Sequence, residues 1–337
     1  MPRASVKLVC GGGGLPDQFP TEEITEKMYQ LLEAAGCTTI DTGRAYGKSE
    51  EWLGQTGAGK RFTIDTKTPG GLTPGGSTSD TIPQHAKESV ERLKVKSVDV
   101  FYIHAPDATV DLEDQLKGIN EAYKAGYFKR FGVSNFTAAE IQRTYDICKE
   151  KGYPLPTVYQ SSYSAVNRRQ ETEVVPTLRK LGISFYAYST TGGGLLTKTS
   201  KQVRDGGEDA SRFAKGYYLN FIYNHLFNKP SYHKALDLWE EAAKDAGCGK
   251  AELAYRWAAF HSALDPAHGD AIVFGGNGLG QLEETLGFFK RGPLDKATIA
   301  KIDEIWKVVE ADSPLDNFHD AIIPATQANV AKSAHWQ

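Results

Sequence analysis

Short apolar, β-branched runs alternate with amphipathic stretches from one end of the chain to the other. SVKLVC (5–10), CTTIDT (37–42), RFTIDT (61–66), SVDVFYI (97–103), FKRFGVS (128–134), PTVYQ (156–160), ISFYAYS (183–189) and DAIVFG (270–275) read as buried strands. Helical patterns lie between them: 21–35, 79–94, 111–125, 137–151, 170–182, 232–247, 250–263 and 279–292. The first opens with Thr21 as N-cap and closes near Gly36. The second carries an apolar stripe at Ile82, Ala86, Val90 and Leu93. Strand–helix repetition at this spacing predicts a parallel sheet with helices outside. No linker or composition shift interrupts it, which favours one closed (β/α)8 TIM barrel over two Rossmann-like halves.

A long segment, about 198–231, shows no strand pattern. It holds charges, glycines and then an aromatic patch of Phe213, Tyr217, Tyr218, Phe221, Tyr223 and Phe227. A barrel needs no connection of that size, so the segment is expected to cap the site as a long loop near the C-terminal face. The domain reading is a single barrel, with a tail from about 311 to 337.

The 337 residues are ample for a sizeable core, with 40% hydrophobic. A net charge of -3, with both signs interleaved, offers no field for nucleic acid or a membrane surface. Cys10, Cys37, Cys148 and Cys248 form no CxxC and no metal-like spacing, which suits free thiols in a cytosolic protein. The N-terminal apolar run is short for a signal peptide, and no stretch reaches membrane-helix length. A cytoplasmic protein acting on a small molecule is expected, and a homodimer is left open.

Ionisable residues stand where buried strands end. Asp41, Lys67 and His104 lie at or just after strand ends, and Tyr46 lies in the loop after Asp41. Taken singly, Asp41 could cap a turn and His104 could be a satisfied core histidine. Together they offer an acid, a phenol, an amine and an imidazole at the face where barrel enzymes carry their sites. A tyrosine is a reluctant acid, with a reference pKa of about 10. Lys67 beside it is expected to lower that value, with Asp41 holding Lys67 charged, while His104 donates to a carbonyl. Asn277 and Gly278 lie in GGNGLGQLEE (275–284), which follows an apolar run and opens a helix, a place suited to phosphate. No metal is implied, since no HxH or HExxH occurs.

The order Asp41, Tyr46, Lys67, His104 resembles the tetrad of the aldo-keto reductases. FGVSNF (131–136), VYQSSYS (158–164) and FYAYSTTGGGLL (185–196) extend the resemblance. RRQETEVVPTLRKLGISFYAYS, AHGDAIVFGG and SPLDNF place it near the aflatoxin-aldehyde reductases. The resemblance implies carbonyl reduction with NADPH, substrate meeting His104 and Tyr223. Ser134, Asn135 and Gln160 would hold the nicotinamide carboxamide, and Tyr188 would stack on its ring. Ser189, Gly193, Lys198, Arg212, Gly275, Asn277 and Gln281 complete the implied cofactor set. Asn277 and Gly278 replace the family's usual hydroxyl residues near the ribose 2′-phosphate, whereas Arg212 matches a cofactor-contacting arginine. YNHLF (223–227) and NFHD (317–320) lack the arginines of members that take carboxylated aldehydes, which points to neutral or aromatic carbonyls. The resemblance also covers regulatory barrels of potassium channels, which bind cofactor with little turnover. A metal-dependent barrel hydrolase is disfavoured by the missing ligands.

Overall fold

The protein, seen as a computed structural model, is described over residues 6–217 and 219–325. Eight parallel strands close into a barrel in chain order: β1 (Lys7–Gly11), β2 (Thr39–Asp41), β3 (Thr63–Thr68), β4 (Val98–Ile103), β5 (Phe128–Ser134), β6 (Pro156–Ser162), β7 (Ser184–Tyr188) and β8 (Ala271–Phe274). β1 and β8 complete the ring, with Lys7 opposite Ala271 and Cys10 opposite Phe274. Side chains of a strand alternate between faces. Val9, Val100, Tyr102, Val158, Tyr186, Ala271 and Val273 accordingly form a separate cluster, while a larger core packs strands and helices together. Burying each large apolar side chain contributes roughly 1.5–3 kcal/mol.

The helices are α1 (Glu22–Ala34), α2 (Ser49–Gln55), α3 (Thr81–Leu93), α4 (Leu112–Lys124), α5 (Ala138–Lys151), α6 (Arg169–Glu173), α7 (Val175–Leu181), α8 (Ser200–Asp205), α9 (Asn220–Phe227), α10 (Pro230–Asp245), α11 (Lys250–Phe260), α12 (Leu279–Lys290) and α13 (Lys296–Val309). Thr21 caps α1, its hydroxyl accepting from the Ile24 amide at 3.2 Å. The α3 stripe of Ile82, Ala86, Val90 and Leu93 is buried. The single helix expected over 170–182 is two, because Val174 leaves helical geometry ahead of Pro176. Proline has no N–H, and its ring collides with the preceding turn.

The 198–231 segment is not an irregular loop. It contains α8, a 3-10 stretch Glu208–Phe213 and α9, then enters α10. Its aromatic patch divides: Phe213, Tyr223 and Phe227 are buried, Phe221 is 49% exposed, and Tyr218 lies outside the described residues. After α13 the chain makes a short π-helix, Phe318–Ile322, and residues 326–337 of the expected tail lie outside the described residues. Among the described residues no helix is long and apolar enough to cross a membrane.

Candidate active site

β2, β3 and β4 bring the four ionisable residues together at one end of the barrel. Asp41 is the last residue of β2, Lys67 the fifth of β3's six, and His104 follows β4 directly. The Lys67 ammonium donates to Asp41 Oδ2 at 2.5 Å and to the Thr42 carbonyl at 2.6 Å. It also stands 4.9 Å from the centre of the Tyr46 ring. Tyr46 Oη and His104 Nε2 are 3.3 Å apart, with the rings edge to face. Lys67 is wholly buried, Asp41 and His104 nearly so, and Tyr46 keeps partial exposure. Gly13 closes the other side: a Cβ there would meet the Tyr46 ring at 3.7 Å.

Burial disfavours the charge on Lys67, but Asp41 and then Tyr46 outweigh it, so the ammonium is held more firmly than usual. Burial, helped by the Lys67 charge, keeps the His104 imidazole well below its ordinary range, hence neutral. Lys67 acts on Tyr46 in the expected direction, downward, but does not decide the outcome. Burial raises its pKa more than the Lys67 charge lowers it, so the phenol retains its proton. The set holds a proton on oxygen beside a neutral imidazole.

Of the cofactor candidates, Ser134, Asn135, Gln160 and Tyr188 bond to one another or to the ionisable residues. Tyr188 donates to Asn135 Oδ1 at 2.9 Å, and Asn135 Nδ2 donates to the His104 carbonyl at 3.0 Å and to Ser134 Oγ at 3.2 Å. Gln160 Nε2 donates to Asp41 Oδ1 at 3.0 Å, so Gln160 also anchors the buried ion pair. Asn135 and Ser189 have left-handed backbones, φ 59° and 56°, uncommon for side chains other than glycine and frequent at functional sites. Gly193, φ 67°, is pressed by Tyr223: a Cβ there would meet that ring at 2.3 Å. Arg212 Nη1 donates to Tyr223 Oη at 2.5 Å and lies 5.2 Å over its ring. Lys198 does not join them directly. Its ammonium donates to the Asp209 carbonyl, bracing the stretch that carries Arg212.

After β8, Gly275 and Asn277 lead into α12. The Asn277 amide donates to Gln281 Oε1, and no side chain caps the helix at Gly278. The uncapped, partly exposed first turn beside glycines fits a phosphate, and lies after strand 8 where barrels hold one. These residues therefore fit a dinucleotide: amides for phosphate, amides and hydroxyls for a carboxamide, a guanidinium nearby.

Residues 7–307 match the family described as Aldo/keto reductase family. The chain belongs to the aldo/keto reductases. Within the family it is 39% identical over 298 residues to the oxidoreductase sirO of Leptosphaeria maculans, covering 87% of this chain and 89% of that protein. It is 36% identical over 292 residues to the human aflatoxin B1 aldehyde reductase member 4, covering 83% and 87%. The rat aflatoxin B1 aldehyde reductase member 2 is 34% identical over 290 residues, covering 83% and 79%. This aldo/keto reductase is an oxidoreductase of carbonyls, in a family that uses nicotinamide cofactors. Sequence reading missed the Thr42 carbonyl and the anchoring contact of Gln160, whereas the glycine run 11–14 reads from sequence as a tight turn flanking the substrate. A backbone oxygen and a contact between distant strands leave no trace in residue type.

Proposed function

We propose that this aldo/keto reductase reduces aldehydes and other reactive carbonyls, preferring neutral aromatic or bulky ones and dialdehydes, with NADPH as cofactor and Tyr46 as general acid. The reading rests on one observation: a proton-retaining phenol flanked by a firmly charged lysine and a neutral imidazole. A reduced nicotinamide, when bound, supplies hydride. Tyr46 gives its proton to the carbonyl oxygen, and the Lys67 charge stabilises the phenolate left behind. His104, neutral, can carry its proton on Nε2 and orient the carbonyl. Asp41 keeps Lys67 charged and in place. Tyr188, Ser134, Asn135 and Gln160 would hold the nicotinamide end, with Tyr223 between cofactor loop and substrate. Ser189, Gly193, Lys198, Arg212, Gly275, Asn277 and Gln281 would serve the phosphates and ribose. One barrel domain, capped by about 198–231, would carry the whole reaction in the cytoplasm. A panel of aldehydes and ketones against NADPH and NADH, followed by loss of cofactor absorbance, tests this directly. Absence of turnover would sink it and favour a regulatory barrel.

Cofactor preference is expected to rest on Arg212. A charge-assisted hydrogen bond contributes about 1.5–3 kcal/mol. Arg212→Ala should therefore weaken NADPH binding by roughly 10–100-fold and leave NADH nearly unchanged, as read by fluorescence titration. Equal affinity of the wild type for both cofactors would contradict this.

Substrate preference is expected to follow the cations available. His319, in the C-terminal stretch, is cationic. Burial opposes its charge, but Asp316 and Glu140 outweigh that and push the pKa up to about 10. Both ring nitrogens face those carboxylates, at 2.9 and 3.5 Å, so its charge is already matched. His225, in the capping stretch, is exposed. A substrate carboxylate entering would lose water without gaining a fixed cation. The kcat/KM for 2-nitrobenzaldehyde should exceed that for succinic semialdehyde by at least about tenfold, the worth of one charge-assisted bond. A preference for the acid in direct competition would overturn the assignment.

A further inference from the structure

One layer beneath Lys67, the barrel interior holds an acid that the mechanism above does not use. Asp65 lies two residues before Lys67 on β3, so both side chains point inward. Its residue is wholly buried. Oδ1 accepts from the Val100 amide at 3.1 Å, while Oδ2 has no hydrogen-bond partner among the described residues. Across β2, Asp65 stands in register with Asp41. Across β4, Lys67 stands in register with Tyr102, and Tyr102 with Gly132 of β5. The missing side chain at 132 makes the room: a Cβ there would meet the Tyr102 ring at 2.4 Å. The ring thereby lies 5.6 Å from the Lys67 ammonium, and its hydroxyl is a second buried polar group without a partner among the described residues.

The cationic neighbours are all otherwise engaged. From β1, Lys7 donates to Tyr186 of β7 at 3.3 Å. From β5, Arg130 pairs with Asp99 of β4 at 2.6 Å. Lys67 is committed to Asp41 and Thr42. β6 and β8 bring Val158, Ala271 and Val273 to the interior cluster. Among the described residues none of these cations forms an ion pair with Asp65. Its carboxyl therefore lies among apolar groups, with the carboxylates Asp41 and Asp99 opposing its charge and Lys7 favouring it less strongly. Burial first, then those two carboxylates, push its pKa up to about 7. It also acts on the charge of Lys67 from below, favouring the ammonium.

We propose that Asp65 is a positioning residue for the catalytic acid: a buried carboxyl that, through Lys67, sets how readily Tyr46 releases its proton. The inference rests on Tyr46 acting as the acid. Ionised, Asp65 holds the ammonium in its charged form and opposes a phenolate above it. Neutral, it leaves the phenolate to Lys67 alone. Reduction, which needs a protonated Tyr46, is thus favoured at neutral and alkaline pH. Alcohol oxidation, which needs the phenolate, is restrained.

Asp65→Asn keeps the shape and the Val100 contact and removes the charge. The rising limb of kcat/KM for alcohol oxidation, set by deprotonation of Tyr46, should move down by about one pH unit, the size of a through-protein interaction between two charges one layer apart. Infrared difference spectra between about pH 5 and pH 9 should show a protonated carboxyl lost near pH 7 in the wild type and absent from the variant. An unmoved limb, or no such carboxyl in the wild type, overturns the proposal; a merely structural Asp65 would alter stability and leave the limb in place. If the wild type does not turn over, the mechanism fails and this inference is read separately. The near-ultraviolet phenolate signal after a rapid pH jump, wild type minus Tyr46→Phe, should then rise at lower pH when Asp65 is Asn. Should that variant not fold, the wild-type infrared titration decides alone.

Discussion

Tyr46→Phe is expected to lower kcat for carbonyl reduction by about 10²–10⁴-fold, the usual contribution of a positioned general acid. Cofactor affinity should stay within about twofold, because the ring that packs on Gly13 and beside Lys67 is kept. Stability should change little. The hydroxyl's contact with His104 is long, at 3.3 Å, and the side chain is partly exposed. Single-turnover reduction and a binding titration on the same preparation check both halves. A variant retaining more than about half the wild-type kcat would mean that the proton comes from elsewhere.

The second large effect is expected at the buried pair. Lys67→Met should cut kcat as strongly as loss of the acid itself, because no charge remains to stabilise the phenolate. It should also destabilise the fold by about 3–5 kcal/mol, since Asp41 is left as a buried, unpaired carboxylate. Asp41→Asn should lower kcat less, because Lys67 keeps its contact with the Thr42 carbonyl. The double variant separates structure from chemistry. With both charges gone, stability should recover much of the loss, while kcat stays low. Thermal or denaturant unfolding alongside steady-state kinetics reads the two quantities. Recovery of activity with stability would show that Lys67 serves the fold alone.

All eight strands were legible in the sequence because each buries a short run rich in apolar or β-branched residues. The four ionisable residues were legible for the same reason: they stand out against such runs. Other features were hidden by short-range conflict. The pattern over 170–182 has helical period throughout, yet Pro176 divides it. α2 and α13 were passed over, although α13 is buried at Ile302, Ile305 and Val309. α8 and α9 escaped because Gly206, Gly207 and Gly216 interrupt any period long enough to read. At the site, the direction of the Tyr46 shift depends on how burial compares with one nearby charge, a balance of distances that residue types do not contain. Asp65 could have been found: TIDTK places it on the face of Lys67 by alternation alone. That no cation among the described residues forms an ion pair with it could not, since Lys7, Lys67 and Arg130 come from β1, β3 and β5 and are engaged by partners distant in the chain.

The contact between Arg212 and Tyr223 would make recognition of a ligand by that arginine an exchange. A guanidinium that already holds a hydroxyl at 2.5 Å, tethered within the same molecule, is a contested donor. Whatever reaches it must offer more than that oxygen does, and its apparent affinity scales with the fraction of molecules in which the arginine has turned away. A phosphate oxygen meets that standard; a ribose hydroxyl is no better than the incumbent. On the reading that Arg212 receives the 2′-phosphate, NADH would leave the pair closed and NADPH would part it. The ring of Tyr223, seated on Gly193, would then be loosened from the β7 loop in the same event. Discrimination between two nearly identical cofactors would arise from which of them can evict an internal competitor.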